Sequence, residues 1–233
     1  MNIQNKTAFI TGGTTGIGLA IAMAILKGGG NVAVYSKSSP PPQTKKDFLT
    51  HPNVLVIKGD VRNQKEVTKA LKKTVATFGS VDILINNAAI AKRELFVESS
   101  AKDWEMIIDT NIKGALITTK EALAYMIKQR SGIIINISSG AGLYGIGGLA
   151  LYSLSKAALV NFTQSLDQEV KQFGVRVITV APGSTDTRMF LNLFPDDKAK
   201  HTPEDVAGVV LKAITGEISP NDDLVVDVFE HTR

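Results

Sequence analysis

Cysteine is absent from this 233-residue sequence, which removes disulfide frameworks, thiolate nucleophiles and zinc–thiolate sites together. The same absence fits a reducing compartment. Histidine is scarce: His51, His201 and His231 stand beside prolines, in loop-like segments or near the terminus. No nucleophile elbow accompanies them, so a hydrolase is disfavoured and the three rings are expected at the surface. Clustered metal ligands are missing, and no metal site is predicted. Apolar runs stay short of the ~20 residues that a membrane helix needs. The polar start, Met1-Asn2-Ile3-Gln4-Asn5-Lys6, leads into a strand pattern without signal-peptide character, so a cytoplasmic location is expected. The formal net charge is +4, but lysines such as Lys6, Lys27, Lys45, Lys46, Lys72 and Lys73 are scattered and not interleaved with aromatics. That argues against nucleic-acid binding, while a mild positive field would still draw an anionic cofactor or substrate.

What is present is core material. Hydrophobic residues make up 44% of the chain, with no internal repeat and no dividing linker, so a single domain spanning 1–233 is expected. Short apolar runs read as strands at Thr7-Ala8-Phe9-Ile10, Val32-Ala33-Val34-Tyr35, Val54-Leu55-Val56-Ile57, Asp82-Ile83-Leu84-Ile85, 133–137, 175–180 and 224–228. Helical patterns alternate with them at 19–27, 64–78, 103–129, 152–173 and 204–215. Only a short helix fits between Pro40-Pro41-Pro42 and Pro52, and Asn63 with Glu66 reads as a capping box. Such alternation indicates a parallel sheet wound on both faces, with ligands bound outside the carboxyl ends of the strands.

The motifs gather at those ends. The first strand runs into Thr11-Gly12-Gly13-Thr14-Thr15-Gly16-Ile17-Gly18, a glycine turn opening a helix. Glycines let the backbone approach a pyrophosphate, and the helix N-terminus presents unpaired N–H groups to it. After the second strand the chain reads Ser36-Lys37-Ser38-Ser39, without the carboxylate that would hold a ribose 2′-hydroxyl. Lys37 and the serine hydroxyls would instead accept a 2′-phosphate, which favours NADP over NAD. Asp60, before Val61, is either helix-start chemistry or a partner for an adenine amino group. Asn111 lies in the apolar middle of the 103–129 pattern, as a satisfied packing amide or as a holder of water.

Tyr152 and Lys156, four residues apart at the start of the 152–173 pattern, share one helix face. An ammonium beside a phenol would lower the phenol's pKa from about 10 towards working pH. Ser139, at the end of the fifth strand, would hydrogen-bond the same substrate oxygen. A Tyr-x-x-x-Lys pair alone also describes an exposed lysine over a half-buried tyrosine, so the surrounding motifs decide.

Taken together, Thr11-Gly12 with Gly16 and Gly18, Asp60, Asn86-Asn87-Ala88, Asn111, Ser139, Tyr152 with Lys156, and Pro182-Gly183 with Thr187 resemble the short-chain dehydrogenase/reductase family, in its compact single-domain branch. The resemblance covers nearly the whole chain. It implies a Rossmann-type α/β fold, a doubly wound parallel sheet of seven strands ordered 3-2-1-4-5-6-7 with helices on both faces, and a short substrate lid around 187–202. It implies Tyr152 as acid/base, Ser139 holding the substrate oxygen, Lys156 on the nicotinamide ribose, and Asn111 positioning a water. The cofactor would meet Gly12, Thr14, Thr15, Gly16, Ile17, Gly18, Ser36, Lys37, Ser38, Asp60, Val61, Asn87, Ala88, Ala89, Tyr152, Lys156, Pro182, Gly183, Thr185 and Thr187. Three positions depart from the family pattern: Ala89 stands for a glycine, Thr185 for Ile or Val, and the tail from Asp222 to Arg233 lacks the usual glycine-rich ending. The tail looks more like that of shorter reductases acting on small hydroxy acids.

The implied activity is NADP-dependent hydride transfer between nicotinamide and a carbonyl or secondary alcohol, with NAD as the alternative cofactor. A catalytically silent nucleotide-binding sensor is the alternative from another class. The implied partners are a small-molecule carbonyl or alcohol and further copies of the chain, as homodimer or homotetramer, with no nucleic acid and no membrane. The substrate pocket is expected to draw on residues 140–150 and on Met189, Phe190, Leu193 and Phe194.

Overall fold

The structure, a computed structural model, describes residues 1–42, 44 and 46–232; Gln43, Lys45 and Arg233 lie outside the described residues. Seven strands, β1 (Thr7–Thr11), β2 (Asn31–Ser36), β3 (Val54–Lys58), β4 (Ile83–Asn86), β5 (Gly132–Ile137), β6 (Val175–Ala181) and β7 (Val225–Asp227), form one sheet in the order β3-β2-β1-β4-β5-β6-β7. Every neighbouring pair is parallel. The helices are α1 (Gly16–Lys27), α2 (Lys46–Leu49), α3 (Gln64–Phe78), α4 (Ala101–Ile107), α5 (Gly114–Gln129), α6 (Gly140–Leu143), α7 (Ala150–Val170), α8 (Arg188–Leu193), α9 (Pro203–Thr215) and α10 (Val228–His231). None is long and apolar enough to cross a membrane among the described residues.

Period-2 alternation sends successive strand residues to opposite faces. Phe9, Leu84, Ile134 and Val177 pack with Leu71 of α3 and Met126 of α5, whereas Ile10, Ile85, Ile135 and Ile178 pack with Ile21 of α1 and Val210 of α9. Both faces are covered, which is why the strands read as continuous apolar runs. Helix α3 matches its sequence boundaries because both ends carry local stops. The Asn63 side chain accepts from the N–H groups of Lys65 and Glu66, and Gly79 closes the helix at φ +87°.

The chain departs from the sequence reading at particular places. The 103–129 pattern is α4, capped by Ser100 and Asp103, then a π-helical turn at Ile108–Lys113, then α5. A π turn carries one extra residue, which rotates the following face while the apolar pattern continues. Asp82 stays outside β4: its carboxylate takes the Lys6 ammonium at 3.0 Å and the Thr7 N–H at 3.0 Å. β7 starts one residue late because Leu224 has φ +58°, off the extended region.

A chain of buried side-chain hydrogen bonds crosses the sheet beneath its carboxyl edge. Asn86 donates to Thr119 (2.8 Å) and Asn136 (2.9 Å), Asn136 donates to Thr163 (2.9 Å), and Thr179 donates to Thr163 (2.8 Å). Their mutual pairing lets amides and hydroxyls lie in the core without the 1–3 kcal/mol or so that an unpaired buried group costs.

Candidate active site

The sheet order reverses between β1 and β4, so the connections after these two strands diverge and leave a crevice between them. Gly12 (φ +64°) and Gly16 (φ +52°) take left-handed conformations in the turn after β1. A Cβ on Gly18 would lie 2.5 Å from both Asn87 Nδ2 and the Gly12 carbonyl oxygen, so glycine there admits Asn87. Asn87 Nδ2 donates to the carbonyls of Thr11 (3.0 Å) and Gly12 (3.2 Å), and the Thr11 hydroxyl accepts from the N–H groups of Asn87 (3.0 Å) and Ala88 (3.1 Å). The turns after β1 and β4 thereby hold one another. At the start of α1, Thr15 supplies no side-chain cap and the first turn has no acidic residue. The orphan N–H groups there are left available to an anion.

At the far end of the crevice the Tyr35 hydroxyl donates to the Asp60 carbonyl at 3.0 Å. A side chain on Gly59 would meet the Tyr35 ring at 2.5 Å. Arg62 grips the Asp60 carboxylate (Nη2 2.6 Å, Nε 3.0 Å) while Lys37 stands 3.7 Å from it. The Arg62 hydrogen bonds hold the Asp60 carboxyl at about 2. Arg62 is absent from the sequence-predicted set; its spacing two residues after Asp60 was the available signal.

Near β5 three side chains converge. Ser139 caps α6 by accepting from the Ala141 N–H at 3.1 Å. Its hydroxyl also faces the phenol of Tyr152, on the first turn of α7, closely enough to act on its pKa. One turn on, the buried Lys156 ammonium lies 5.6 Å from the Tyr152 ring centroid and donates to the Ile137 carbonyl at 2.7 Å. Burial raises the Tyr152 phenol above its usual value, and the Ser139 hydroxyl offsets only part of that. This direction is opposite to the one read from the Tyr–Lys spacing. The reason is that Lys156 is itself costly to charge: burial pushes it down to about 8, and its ammonium is aimed at the strand end.

Asn111, turned inward by the π-helical turn, accepts from the Ile90 N–H (2.8 Å) and donates to the Ile90 carbonyl (2.9 Å) and Ser155 hydroxyl (3.0 Å). Ser155 in turn donates to the Tyr152 carbonyl at 2.7 Å. The amide therefore ties the β4 connection to α7.

The far wall of the crevice is α8. At its start the Thr187 methyl would lie 3.3 Å from a Cβ on Gly16. At its end Arg93, from the β4 connection, donates to the Leu193 carbonyl at 3.1 Å and lies 4.6 Å over the Phe194 ring. The helix thus bridges the glycine turn and the segment after β4. Beneath it lies a cleft of about 740 Å³. Of the sequence-predicted residues, Gly12, Thr15, Gly16, Ile17, Ser36, Lys37, Ser38, Asp60, Val61, Asn87, Ala88, Ala89, Ser139, Tyr152, Lys156, Pro182, Gly183, Thr185 and Thr187 line it. Thr14, Gly18 and Asn111 do not. Thr14 instead donates to the Ser38 carbonyl at 3.4 Å, joining the glycine turn to the segment after β2. Tyr35, Ile90, Met106, Thr110 and Arg188 line the cleft without having been singled out.

His201 overturns the expectation of a surface ring. It is buried against Gly183 and edge-on to Phe229, its Nδ1 is 3.2 Å from the Thr232 hydroxyl, and its backbone bridges to Thr185. A residue thirty-one positions away in sequence supplies part of that cover.

A doubly wound parallel sheet with a glycine turn and a tyrosine–lysine pair in one carboxyl-edge crevice defines a class, the dinucleotide-dependent oxidoreductases of Rossmann type. Comparison with known proteins narrows it. The family described as short chain dehydrogenase matches residues 6–198. An uncharacterized oxidoreductase of Staphylococcus aureus (strain USA300) is 36% identical over 213 residues, covering 91% of this chain and 92% of that protein. An uncharacterized oxidoreductase of Thermotoga maritima is 37% identical over 220 residues, 94% of this chain and 84% of that one. The crystal structure of levodione reductase superposes with a TM-score of 0.87 at 25% identity, covering 96% of each chain. The chain belongs to the short-chain dehydrogenase family and is an NAD(P)-dependent oxidoreductase.

Proposed function

We propose that the chain interconverts a carbonyl compound and a secondary alcohol with NADP(H), Tyr152 exchanging the proton with the substrate oxygen. The observation that carries this reading is the meeting of the Tyr152 phenol, Ser139 hydroxyl and Lys156 ammonium in the cleft that also contains the uncapped start of α1. The residues fit a dinucleotide: left-handed glycines, no acid in the first turn of α1, and Asn87 locking the turn. Bound there, the nicotinamide supplies or takes up the hydride.

The chain's own groups do the rest. Residues 12–18 would carry the pyrophosphate, Asp60 and Val61 the adenine, and residues 182–187 the carboxamide side. Lys156 would bind the ribose hydroxyls, and Ser139 would hold the substrate oxygen against the Tyr152 hydroxyl. An anionic or partly anionic oxygen at that point favours proton donation from Tyr152, and a bound ribose would recruit the Lys156 charge towards it. Asn111 would keep α7 in register with the β4 connection and so support a water path to Lys156. Residues around 187–202, with helix α8 at their start, would act as the lid, excluding water from the reacting atoms.

Lys37 with the hydroxyls of Ser36 and Ser38 supports the preference for a 2′-phosphate. Lys37 also faces Asp60 at 3.7 Å, which favours NAD as the second reading. Exposed Leu116 of α5 and Leu154 of α7 support a homodimer or homotetramer built on those helices. Paired NADPH and NADH titrations, followed by a carbonyl and alcohol panel, test the proposal. Tighter NADH binding would overturn the cofactor preference. Cofactor binding without turnover of any carbonyl or alcohol would leave a silent nucleotide sensor.

A further inference from the structure

We infer that Arg62 sets the preference for NADP over NAD, by taking the Asp60 carboxylate to itself and so leaving the Lys37 ammonium to the 2′-phosphate; this rests on the reading of Lys37 and its flanking serines as the 2′-phosphate site. β2 and β3 pair in register up to Ser36 opposite Lys58, so the segments that follow them leave the sheet side by side. The Gly59 N–H donates to the Ser36 carbonyl at 3.0 Å, and the Tyr35 hydroxyl donates to the Asp60 carbonyl at 3.0 Å. Asp60 is thereby fixed beside Lys37, and both line the cleft, as does Arg62. The fold places an acid where a phosphate is to be received.

Left alone, that acid would oppose the site in two ways. Its charge would repel a 2′-phosphate, and it would draw the Lys37 ammonium, 3.7 Å away, into a close pair. Protonation does not remove the charge, because the Asp60 carboxyl is held at about 2. A second cation does. Arg62 Nη2 donates to Asp60 Oδ2 at 2.6 Å, and Nε donates to Oδ1 at 3.0 Å and Oδ2 at 3.1 Å. The Arg62 backbone N–H donates to Oδ1 as well, at 3.0 Å. A planar guanidinium covers both carboxylate oxygens in this way, and a lysine ammonium, as a point charge, does not. Lys37 stands beyond hydrogen-bond distance of Asp60 and is largely exposed, so it is the less committed of the two cations. The neighbouring carboxylate of Glu66 does not line the cleft and accepts from the Asp60 N–H and the Asn63 amide, both at 2.9 Å. Asp109, which also acts on Arg62, is likewise outside the lining. Among the described lining residues, this end of the cleft sets two cations against one carboxylate.

The test compares wild type, Arg62→Ala and the double variant Asp60→Asn with Arg62→Ala, each titrated by fluorescence with NADPH and with NADH. The quantity read is the ratio of the two dissociation constants. A general loss of structure or of adenine contact moves both cofactors together and leaves that ratio alone. Wild type is expected to prefer NADPH. Arg62→Ala should lower the preference about tenfold, the weight of one hydrogen bond to a charged group, and the double variant, neutral at position 60, should regain it to within about threefold. An unchanged ratio in Arg62→Ala would overturn the inference. So would a double variant no more selective than Arg62→Ala, since Arg62 would then bind the phosphate itself and not act through Asp60. Wild type that prefers NADH, or that binds neither cofactor, would overturn the underlying reading of the site instead.

Discussion

The Lys156 ammonium stands 5.6 Å from the centre of the Tyr152 ring but bonds the Ile137 carbonyl at 2.7 Å, so the two side chains are neighbours without being a hydrogen-bonded pair. The group that acts to lower the phenol's pKa is the Ser139 hydroxyl. In the free protein the site is therefore assembled but not electrostatically tuned. Burial keeps the phenol protonated and makes the lysine easier to neutralise.

Tyr152→Phe removes the proposed proton donor while keeping the ring that packs over Lys156. Turnover is expected to fall by about 10²–10⁴-fold, the contribution typical of a positioned acid or base. NADPH affinity should stay within about twofold, well below the tenfold that 1.4 kcal/mol represents. Steady-state rates with parallel fluorescence titration check this, and unchanged turnover would take Tyr152 out of the mechanism.

Lys156 gives the free protein a defined pH signature. Its folded pKa of about 8 lies below the ordinary lysine value of 10.5, so between these limits the unfolded chain holds more protons than the native one. Stability from this group therefore rises with pH across about 8 to 10.5, by on the order of 3 kcal/mol in all, and is flat below that window. Denaturant midpoints of wild type and Lys156→Met, measured from pH 7 to 10.5, should converge as pH rises. Parallel curves would contradict the buried, costly ammonium.

Gly18 and Gly208 make a controlled comparison. A Cβ on Gly18 meets Asn87 Nδ2 and the Gly12 carbonyl at 2.5 Å, whereas one on Gly208 of α9 meets nothing within 4 Å. Gly18→Ala should cost about 1–3 kcal/mol by overpacking and weaken NADPH binding. Gly208→Ala should stabilise by up to about 1 kcal/mol through helix propensity. Thermal melts with and without NADPH report both effects; a neutral Gly18→Ala would show that the two turns are not tightly interlocked.

Asn111→Ala would strip the Ile90 N–H of its partner and leave Ser155 without the amide donor. The expected loss is about 1–3 kcal/mol, or roughly 2–4 °C in melting temperature for each kcal/mol in a chain of this size. Hydrogen exchange at the Ile90 amide should quicken. An unchanged melting temperature together with an unchanged Ile90 amide would mean that Asn111 does not hold the β4 connection.

The parts readable in the sequence are those whose cause is local. A strand covered on both faces must be an unbroken apolar run, as in Ile133-Ile134-Ile135, and a helix with Asn63 before it and Gly79 after it advertises its own ends. The glycine turn declares itself likewise, since left-handed backbone at Gly12 and Gly16 calls for glycine. The π-helical turn was hidden because one inserted residue leaves an apolar pattern continuous while rotating Asn111 inward.

What the chain alone determined was the alternation of buried strands and helices, the position of the glycine turn and the spacing of Ser139, Tyr152 and Lys156, all set by residues near one another in sequence. Only the tertiary structure decided that His201 is buried under the tail, that Arg93 holds the end of α8 from 100 positions away, and that the Tyr152 pKa rises instead of falling. Those outcomes depend on desolvation and on which distant groups come together, and a linear pattern carries neither.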